Sequence, residues 1–280
     1  MKSDPKFPEF LLIHCIIHRQ HLAARYFRYE NVMKFVLDIV KFIRSNGKTH
    51  RQLKNFNEEL ELEDNPNDVS FYCIVRWLST SNVLNGFVDL LDPLTTFLEE
   101  RKRAYPQLEN DEWMQDLVFL TDIMKPLQTL NLALQGKEKI ISYLTQKIFS
   151  FQNKIRVFQR NTLSRNFSHF PHLKRRVNRF PDIEIKDHKL EEYKDKLQGL
   201  LDNFLARFHY LQKLKPCFTF LINPFMVNVI NGGCPILEPL VTESAAVEME
   251  LMEFQEDLGL KMIHKSQSTV EFWKQVPETK

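Results

Sequence analysis

The fold is decided by residues 111–158, which read DEWMQDLVFLTDIMKPLQTLNLALQGKEKIISYLTQKIFSFQNKIRVF. Apolar residues recur three or four positions apart in the first half of this stretch, as at Trp113 and Leu117. The same spacing returns in the second half, as at Leu144 and Ile148. This pattern is typical of amphipathic helices that each bury one face. We therefore predict two long helices here, with further helices packed against them.

Two residues interrupt this pattern. Pro126 lacks a backbone donor and crowds the preceding turn, so a kink near Met124 is expected. Gly136 can adopt the left-handed conformation that ends helices, and the apolar period resumes after it. We predict a helix end at Gly136 and a new helix beyond it.

Composition favours a globular protein built mainly of helices. Of the 280 residues, 43% are apolar and 26% charged, and 23 phenylalanines stand against only 7 glycines. This length is compatible with one large domain or two ordinary ones. The chain has no CxxC pair, no secretory signal and no apolar run of membrane-spanning length, so we expect an intracellular protein with reduced cysteines. The four cysteines are Cys15, Cys73, Cys217 and Cys234.

Shorter patterns predict the other elements. Residues 10–13 are predicted as a buried strand, and residues 69–77 as a strand or an extended lead-in, because they are rich in β-branched and aromatic residues. Residues 217–230 are compatible with either a strand or a short helix. The remaining predicted helices cover residues 14–27, 31–44, 50–63, 189–213, 243–255 and 268–276.

One further helix is predicted between residues 79 and 101. Ser79 or Ser81 is expected to cap its N-terminus. Pro93 lies inside this segment, and we expect the helix to bend there.

Charge is distributed unevenly along the chain. Residues 139–181 contain no Asp or Glu but ten Lys or Arg, whereas residues 216–260 contain no Lys or Arg and seven acidic residues. The basic segment is compatible with a phosphate-binding surface or with a solvated helix face, and the sequence favours neither. Its Arg-Arg pair also fits a short nuclear-import signal. The candidate DNA-binding residues in this segment are Lys174, Arg175, Arg176 and Arg179.

Two short motifs connect the chain to a known family. Cys15-x-x-His18 is followed about sixty residues later by Arg76-Trp77-Leu78-Ser79. In this order the motifs resemble the catalytic region of hAT-superfamily transposases. The surrounding sequence is similar to domesticated vertebrate copies in the BED zinc-finger and general transcription factor II-I repeat branch. Matching segments are VMKFVLDIVKFIRSNGKTHRQL, FLEER, EWMQDLVFLTDI, LNLALQGKEKIIS, INPF and EFWKQVPE, which extend the resemblance over nearly the whole chain.

This resemblance implies a mainly α fold, in which a remnant of an RNase H-like core carries a large all-helical insertion. On this basis we assign residues 1–68 to the RNase H-like remnant with the CxxH motif. Residues 69–215 would be the helical insertion region. Residues 216–280 would form a C-terminal helical segment that ends before the family's dimerisation and catalytic-Glu region.

The family's catalytic residues are not matched in this sequence. Such transposases hold divalent metal ions with two Asp and one Glu; the two Asp precede the CxxH motif and the Glu follows the EFWKQVPE-like segment. Here only Asp4 and Glu9 precede Cys15, and the sequence ends at Lys280. We therefore expect a truncated, catalytically inactive derivative that is not an enzyme and has no metal or other cofactor.

The motif residues themselves allow two interpretations. Cys15 and His18 have half of a zinc-ligand spacing, but no second Cys/His pair completes a set of four, so a structural role is favoured. Arg76 and Trp77 match the place where the resemblance implies stacking near the DNA end, which cation–π attraction would support. The alternative, slightly favoured, is that Trp77 fills the helical core.

Two functions from different classes follow from the sequence. The first is a helical interaction module, expected in the nucleus, that binds a protein partner or a second copy of itself. The second is residual, non-cleaving DNA binding through Arg76, Trp77 and the basic region 139–181. Neither involves a membrane or a small-molecule substrate. Residues 10–15 and 69–77 would lack full sheet partners, and their exposed edges would favour association.

Overall fold

A computed structural model of the chain describes residues 15–27, 29–45, 77–103, 105–136, 139–228 and 244–277. Across these ranges the regular structure consists of α-helices and three short 3₁₀ turns, with no strand. The twelve α-helices are α1 Ile16–Ala24, α2 Glu30–Ser45, α3 Trp77–Asp89, α4 Leu91–Glu100, α5 Asp111–Leu134, α6 Ile141–Leu163, α7 Pro171–Arg179, α8 Asp187–Lys213, α9 Lys215–Ile222, α10 Ser244–Glu256, α11 Leu258–Ser266 and α12 Thr269–Gln275. The 3₁₀ turns are Pro106–Glu109, Phe167–His169 and Pro224–Met226.

The mainly α prediction is confirmed, whereas the strands predicted for residues 10–13 and 69–76 stay predictions. Residues 10–13 and 69–76 lie outside the described residues, and Trp77 already begins a helix. In the ambiguous segment 217–230 the described residues end at 228, and they form most of α9 and a 3₁₀ turn, in agreement with the short-helix alternative. Pro216 stands in the first turn of α9, where its fixed φ suits a helix and its missing N–H costs nothing.

Helix α5 begins where its sequence places a strong start signal. The Asn110 side chain accepts a hydrogen bond of 2.9 Å from the Trp113 backbone N–H, and Asp111 and Glu112 fill the first turn. An N-cap of this kind satisfies one of the helix's orphan donors, and acidic residues complement its positive end. The helix runs through Pro126 and ends at Leu134, and Gly136 follows with a φ of 114°. The predicted end at Gly136 is confirmed.

Helix α5 is the centre of the first part of the molecule. Every residue from Trp113 to Met124 is buried, although only some of them are apolar. Helices α1, α2, α3 and α7 all contact it. A helix enclosed on all sides must satisfy its polar side chains internally, which is where the candidate site arises.

An aromatic stack joins α5 to α8. The Phe119 ring lies 3.9 Å from the Tyr193 ring at an interplanar angle of 8°, measured between centroids. The centroid of the Phe119 ring also lies 5.6 Å from that of Phe170 and 6.4 Å from that of Tyr29. All four rings are buried, so the burial of aromatic surface contributes strongly to the stability of this part.

The helix predicted between residues 79 and 101 is two helices. It begins at Trp77, so neither Ser79 nor Ser81 is the cap, and Ser81 is buried within α3. The chain breaks at Leu90 and restarts as α4, with Pro93 in the first turn of the new helix. Proline is tolerated there because the first-turn N–H groups have no helical partner. The predicted bend at Pro93 was therefore wrong in position.

The chain divides into two compact units. The first comprises Met1–Lys139 and Lys147–Arg207, and the second comprises Ile140–Gln146 and Phe208–Lys280. The predicted division at residues 68 and 215 stays a prediction. None of the helices in the described ranges is long and apolar enough to cross a bilayer.

The second unit has its own small core. Phe254 and Phe272 are buried with Leu251 and Leu260, and the Phe225 ring stacks on Phe254 at 5.5 Å. Three side chains bind backbone carbonyls of the α9 region: Trp273 Nε1 donates to Leu221 (2.7 Å), His264 Nε2 to Ile222 (2.8 Å) and Gln255 Nε2 to Pro224 (2.7 Å). Helices α10–α12 are thereby fixed around α9 and the following 3₁₀ turn.

Substitution Phe119→Ala tests the aromatic stack. Removing a fully buried ring leaves a cavity, and we expect the free energy of unfolding to fall by about 3–5 kcal/mol. Urea denaturation followed by circular dichroism measures this loss. Leu132→Ala on the same helix, where the side chain is 56% exposed, is the control and should change stability by less than about 1 kcal/mol. Equal losses in the two variants would contradict the central role of Phe119.

Candidate functional site on the arginine helix

Helix α7 (Pro171–Arg179), called here the arginine helix, is held at its N-terminus by a buried carboxylate. Its own N-cap residue, Phe170, offers no side-chain acceptor. Asp122 of α5 takes that role: its two oxygens accept from the backbone N–H groups of His172 (3.1 Å) and Leu173 (3.0 Å). A carboxylate at this position satisfies two orphan donors and complements the helix dipole.

His172 strengthens the same attachment. Its Nδ1 lies 2.7 Å from Asp122 Oδ1, and its Nε2 lies 3.9 Å from Asp89 Oδ1. With Nδ1 protonated, the ring donates to Asp122, so this one carboxylate receives three hydrogen bonds. Leu173 and Phe170 are buried beside it. The first turn of the arginine helix is thus fixed to α5 by both polar and apolar contacts.

The three arginines of this helix each meet a carboxylate of another helix. Arg175 Nη1 lies 3.6 Å from Asp89 Oδ1 at the end of α3, and Arg179 Nη1 lies 2.6 Å from Asp92 Oδ2 of α4. Arg176 lies 2.5 Å from Asp111 at the start of α5. The Arg176 side chain is only 12% exposed; burial lowers its pKa, and the Asp111 carboxylate acts in the opposite direction. The exposed pairs contribute little stability, while the Arg176 pair is the more consequential one.

A groove of about 580 Å³ runs beside these ion pairs. Apolar residues line part of it, among them Val88, Leu91, Met114 and Val118. The paired arginines, Asp89, Asp92 and His172 form most of its polar lining. The groove therefore combines apolar surface with a border in which positive and negative groups alternate, a combination that suits a protein segment better than a phosphate backbone.

The structure does not bring all the predicted DNA-binding residues together. Lys174 is exposed on another side of the arginine helix, at a cleft of about 430 Å³ that Arg165 and Phe167 also line. Arg76 lies outside the described residues, and Trp77 is the first residue of α3. Whether these residues act together stays a prediction.

The CxxH motif lies at the start of α1. Cys15 is the exposed N-cap residue and His18 is exposed on the helix. His18 lines a shallow cleft together with Asn203 and Arg207 of α8. In the part of the chain that the structure describes, no three His, Cys, Asp or Glu side chains are arranged to hold a metal ion. The structural role predicted for the motif stays a prediction.

The acidic partners of the arginine helix were missed in the sequence. Asp89, Asp92, Asp111 and Asp122 are scattered over more than thirty positions and belong to no motif. A partial signal was present, because Asp122 interrupts an apolar run inside a predicted core helix. A charged residue in such a place has a buried partner as a rule.

Comparison with known proteins identifies the region that carries these acidic residues. The sequence pattern of the FAM200/GTF2IRD2 helical domain matches residues 14–163, just over half of the chain. The chain belongs to the FAM200/GTF2IRD2-like family. The matched range ends with α6, so in this family member the arginine helix follows the matched range and docks onto helices within it.

Two curated relatives support this assignment. General transcription factor II-I repeat domain-containing protein 2 of Bos taurus is 28% identical over 260 residues, which is 93% of this chain and 25% of that protein. The Mus musculus protein of the same name is 30% identical over 192 residues, which is 69% of this chain and 20% of that protein. The chain thus spans a quarter or less of these relatives. No solved structure matches it.

A second group of polar side chains lies between α5, which the FAM200/GTF2IRD2-like match covers, and α8, which follows the matched range. Lys189 Nζ lies 2.7 Å from Asp116 Oδ1 and 2.9 Å from Glu192 Oε2. The Tyr193 ring lies 5.5 Å from the same ammonium group. Lys189 and Asp116 are both buried, so this pair is far less screened by solvent than the pairs of Arg175 and Arg179.

Burial and charge together shift the pKa values of this group. Burial raises the pKa of Asp116, and Lys189 only partly offsets that effect. Burial alone would lower the pKa of Lys189, but hydrogen bonds to Asp116 and Glu192 outweigh it, and the net shift is upward. Burial, followed by the nearby Asp116 carboxylate, raises the pKa of both Tyr193 and Tyr29 well above their ordinary range.

Replacing Asp122 by Ala tests the attachment of the arginine helix. The change leaves two backbone N–H groups and the His172 ring without an acceptor, and we expect a loss of about 2–4 kcal/mol in the free energy of unfolding. The matched control is Asp92→Ala, which removes an exposed ion pair from the same helix and should cost about 0–1 kcal/mol. Denaturant titration compares the two. A loss for Asp122→Ala no larger than for Asp92→Ala would refute this account.

Alkaline titration tests the buried group between α5 and α8. The pKa values of Lys189, Tyr193 and Tyr29 are raised in the folded state, so their stabilising contribution is complete below pH about 10 and is lost as the pH rises further. Each group adds up to about 1.4 kcal/mol per pH unit to the fall in stability, because the folded state then holds the extra proton. Unfolding at a series of pH values measures this slope.

In that titration Tyr193→Phe should make the fall of the unfolding free energy with pH less steep, by the contribution of one ionisable group. The matched control is Tyr26→Phe, which changes a largely exposed ring and should leave the slope unaltered. Tyrosinate absorbance provides a direct readout. Ionisation of Tyr193 in the folded protein near pH 10 would show that the site is not buried as described.

Proposed function

We propose that this chain is a transposase-derived helical module that has no catalytic activity and binds protein partners in the nucleus. It would be the helical insertion of an hAT-type transposase, residues 69–215, with parts of an RNase H-like remnant in residues 1–68 and a C-terminal helical segment in residues 216–280. Its membership of the FAM200/GTF2IRD2-like family supports this proposal. The name of its bovine and mouse relatives, which refers to a general transcription factor repeat, supports a nuclear role and a function other than catalysis.

The observation that carries the proposal is the pairing of the arginine helix. Arg175, Arg176 and Arg179 each have a carboxylate of the same chain within 3.6 Å. A DNA phosphate that displaced Asp111 from Arg176 would stand beside a carboxylate that had lost its partner. Affinity for DNA depends on the number of phosphates that free cations neutralise, and these three contribute little to it.

The apolar groove beside these pairs supports a protein partner. Val88 and Leu91 are only half-buried and, with the exposed Phe180, offer an apolar surface that a side chain of another protein could cover. Because the border carries both Arg and Asp side chains, it could form hydrogen bonds with partner groups of either charge. This arrangement of apolar centre and polar rim is typical of protein–protein interfaces.

Residual DNA binding without cleavage is the second candidate, and one observation favours it. Four basic residues of the segment 139–181 have no carboxylate partner in the described ranges. All four are exposed, and Arg156 and Arg160 share one face of α6. These four, together with Arg76 and Trp77, would form the DNA-binding surface. The four residues are Lys154, Arg156, Arg160 and Lys174.

Fluorescence anisotropy with labelled duplex and hairpin DNA separates the two functions. The first variant changes the four unpaired residues to Glu, and the matched variant changes Arg175 and Arg179 to Gln. For a protein-binding module we expect weak binding at physiological salt that neither variant alters by more than about threefold, because few phosphates are neutralised. Circular dichroism confirms that both variants fold.

Two results would contradict the proposal. Residual DNA binding would be established if the logarithm of the affinity falls linearly with the logarithm of the salt concentration and the variant with four Glu substitutions no longer binds. Equal or greater loss in the Arg175 and Arg179 variant would show that the paired arginines contact DNA after all.

A further inference from the structure

The second unit exposes large apolar side chains on the sides of its helices that face away from its core. Met249 of α10 is 65% exposed, and Leu258 and Met262 of α11 are each 73% exposed. These values are high for residues of this size. Met249 and Leu258 belong to residues 216–260, which contain seven acidic residues and no Lys or Arg.

The geometry of α10 places Met249 opposite the core. Leu251 and Phe254 are buried in the core of the second unit. At about 100° per residue they lie about 200° and 140° around the helix from Met249. Glu253 and Glu256 follow Met249 at four and seven positions, so they share its outward face. The exposed face of α10 is therefore one methionine flanked by carboxylates.

Most of these carboxylates have no counterion within the described ranges. Glu250 and Glu253 are exposed and form no ion pair there, and neither does Glu248. Glu256 has a partner, since Lys261 Nζ of α11 lies 3.4 Å from its Oε2. That contact joins the outward face of α10, to which Glu256 belongs, to the first turn of α11.

The outward face of α11 continues this surface. Leu258 and Met262 are four positions apart and so lie next to each other on the helix, and the exposed Lys265 follows them on the same face at the end farther from α10. Leu260 and His264 point the other way: Leu260 is buried, and His264 Nε2 bonds the Ile222 carbonyl at 2.8 Å. Leu258 is only two positions beyond Glu256, which places the apolar pair at the acidic end of α10.

We propose that Met249, Leu258 and Met262, bordered by Glu250 and Glu253, form a docking surface for a basic amphipathic helix of a partner protein. This inference rests on the proposed function and gives the partner its chemistry. The apolar side of such a helix would cover the methionines and the leucine, whose flexible side chains adapt to different shapes. Its Lys and Arg residues would pair with the unpaired carboxylates.

Charge complementarity selects this occupant. A helix rich in Asp or Glu, or a nucleic acid, would be repelled by uncompensated carboxylates beside the apolar residues. An entirely polar basic segment would leave the three apolar side chains uncovered. Only a partner with both an apolar face and positive flanks satisfies both features.

A direct test uses the full chain and a fluorescein-labelled peptide of leucine and lysine, about 14 residues long and so roughly four helical turns. Its leucines stand at i, i+3, i+4 and i+7, and the remaining positions are lysine. We expect saturable binding that weakens as salt is raised. The double variant Leu258→Gln and Met262→Gln should weaken it at least about tenfold, because apolar burial is lost. Glu250→Gln with Glu253→Gln should weaken it and reduce its salt dependence.

Matched controls exclude general attraction to an acidic protein. A scrambled peptide of the same composition lacks the apolar face and should bind at least about tenfold more weakly, since it cannot bury its leucines together. A peptide with glutamate in place of lysine should not bind. Leu132→Gln changes an exposed leucine of the first unit and should leave binding unaltered.

The inference would be overturned by equal binding of the scrambled peptide, by unchanged binding of the Leu258 and Met262 variant, or by no binding at all. A concentration-dependent dimer in sedimentation that the same variant abolishes would also overturn it, because a second copy of the chain would then be the occupant. These outcomes are independent of the DNA titration. A chain that neither binds DNA nor this peptide would keep its role as an interaction module, with a different surface as its interface.

Discussion

The buried carboxylate of Asp122 is the interaction on which the arrangement of the candidate site depends. It accepts from two backbone N–H groups and the His172 ring at the start of the arginine helix. Placing a carboxylate inside a core is costly unless such donors surround it. Once Asp122 fixes the first turn of that helix, the direction of the remaining turns is determined, and Arg175, Arg176 and Arg179 reach α3, α5 and α4 in order.

This constraint changes the meaning of the basic segment. In the sequence, residues 139–181 contain ten cations and no acid, so the segment resembles a phosphate-binding surface. In the folded chain, the acids that pair with the arginine helix come from helices that lie fifty or more positions earlier, and they compensate the cations closest to them. Local charge density in a sequence therefore overstates the surface potential wherever a helix docks on acidic neighbours. Lys154, Arg156 and Arg160 of α6, together with Lys174, have no carboxylate partner in the described ranges, so their charge is not compensated there.

The sequence predicted the fold where a single local signal decided it. The apolar period of α2, α5 and α8 and the glycine after α5 gave those elements nearly at their observed bounds, because burial of one stripe is a local property of the chain. It failed at Leu90, where a break without proline or glycine depends on how α3 and α4 pack. The arginine helix has almost no apolar stripe, and its stability comes from Asp122, which no local pattern could reveal. Only the basic half of the candidate site could be predicted from the sequence, because its cations are clustered in one segment while its carboxylates are dispersed along the chain.

The two units thus differ in whether the charges on their surfaces are paired within the chain. In the first unit, opposite charges pair within the chain along the border of a partly apolar groove. In the second, Glu248, Glu250 and Glu253 have no cation within the described ranges, and Met249, Leu258 and Met262 are exposed next to them. Uncompensated charge and exposed apolar area both raise the free energy of the isolated protein. A partner that relieves both at once gains more than one that relieves either alone, so the acidic helices of the second unit carry the stronger specificity.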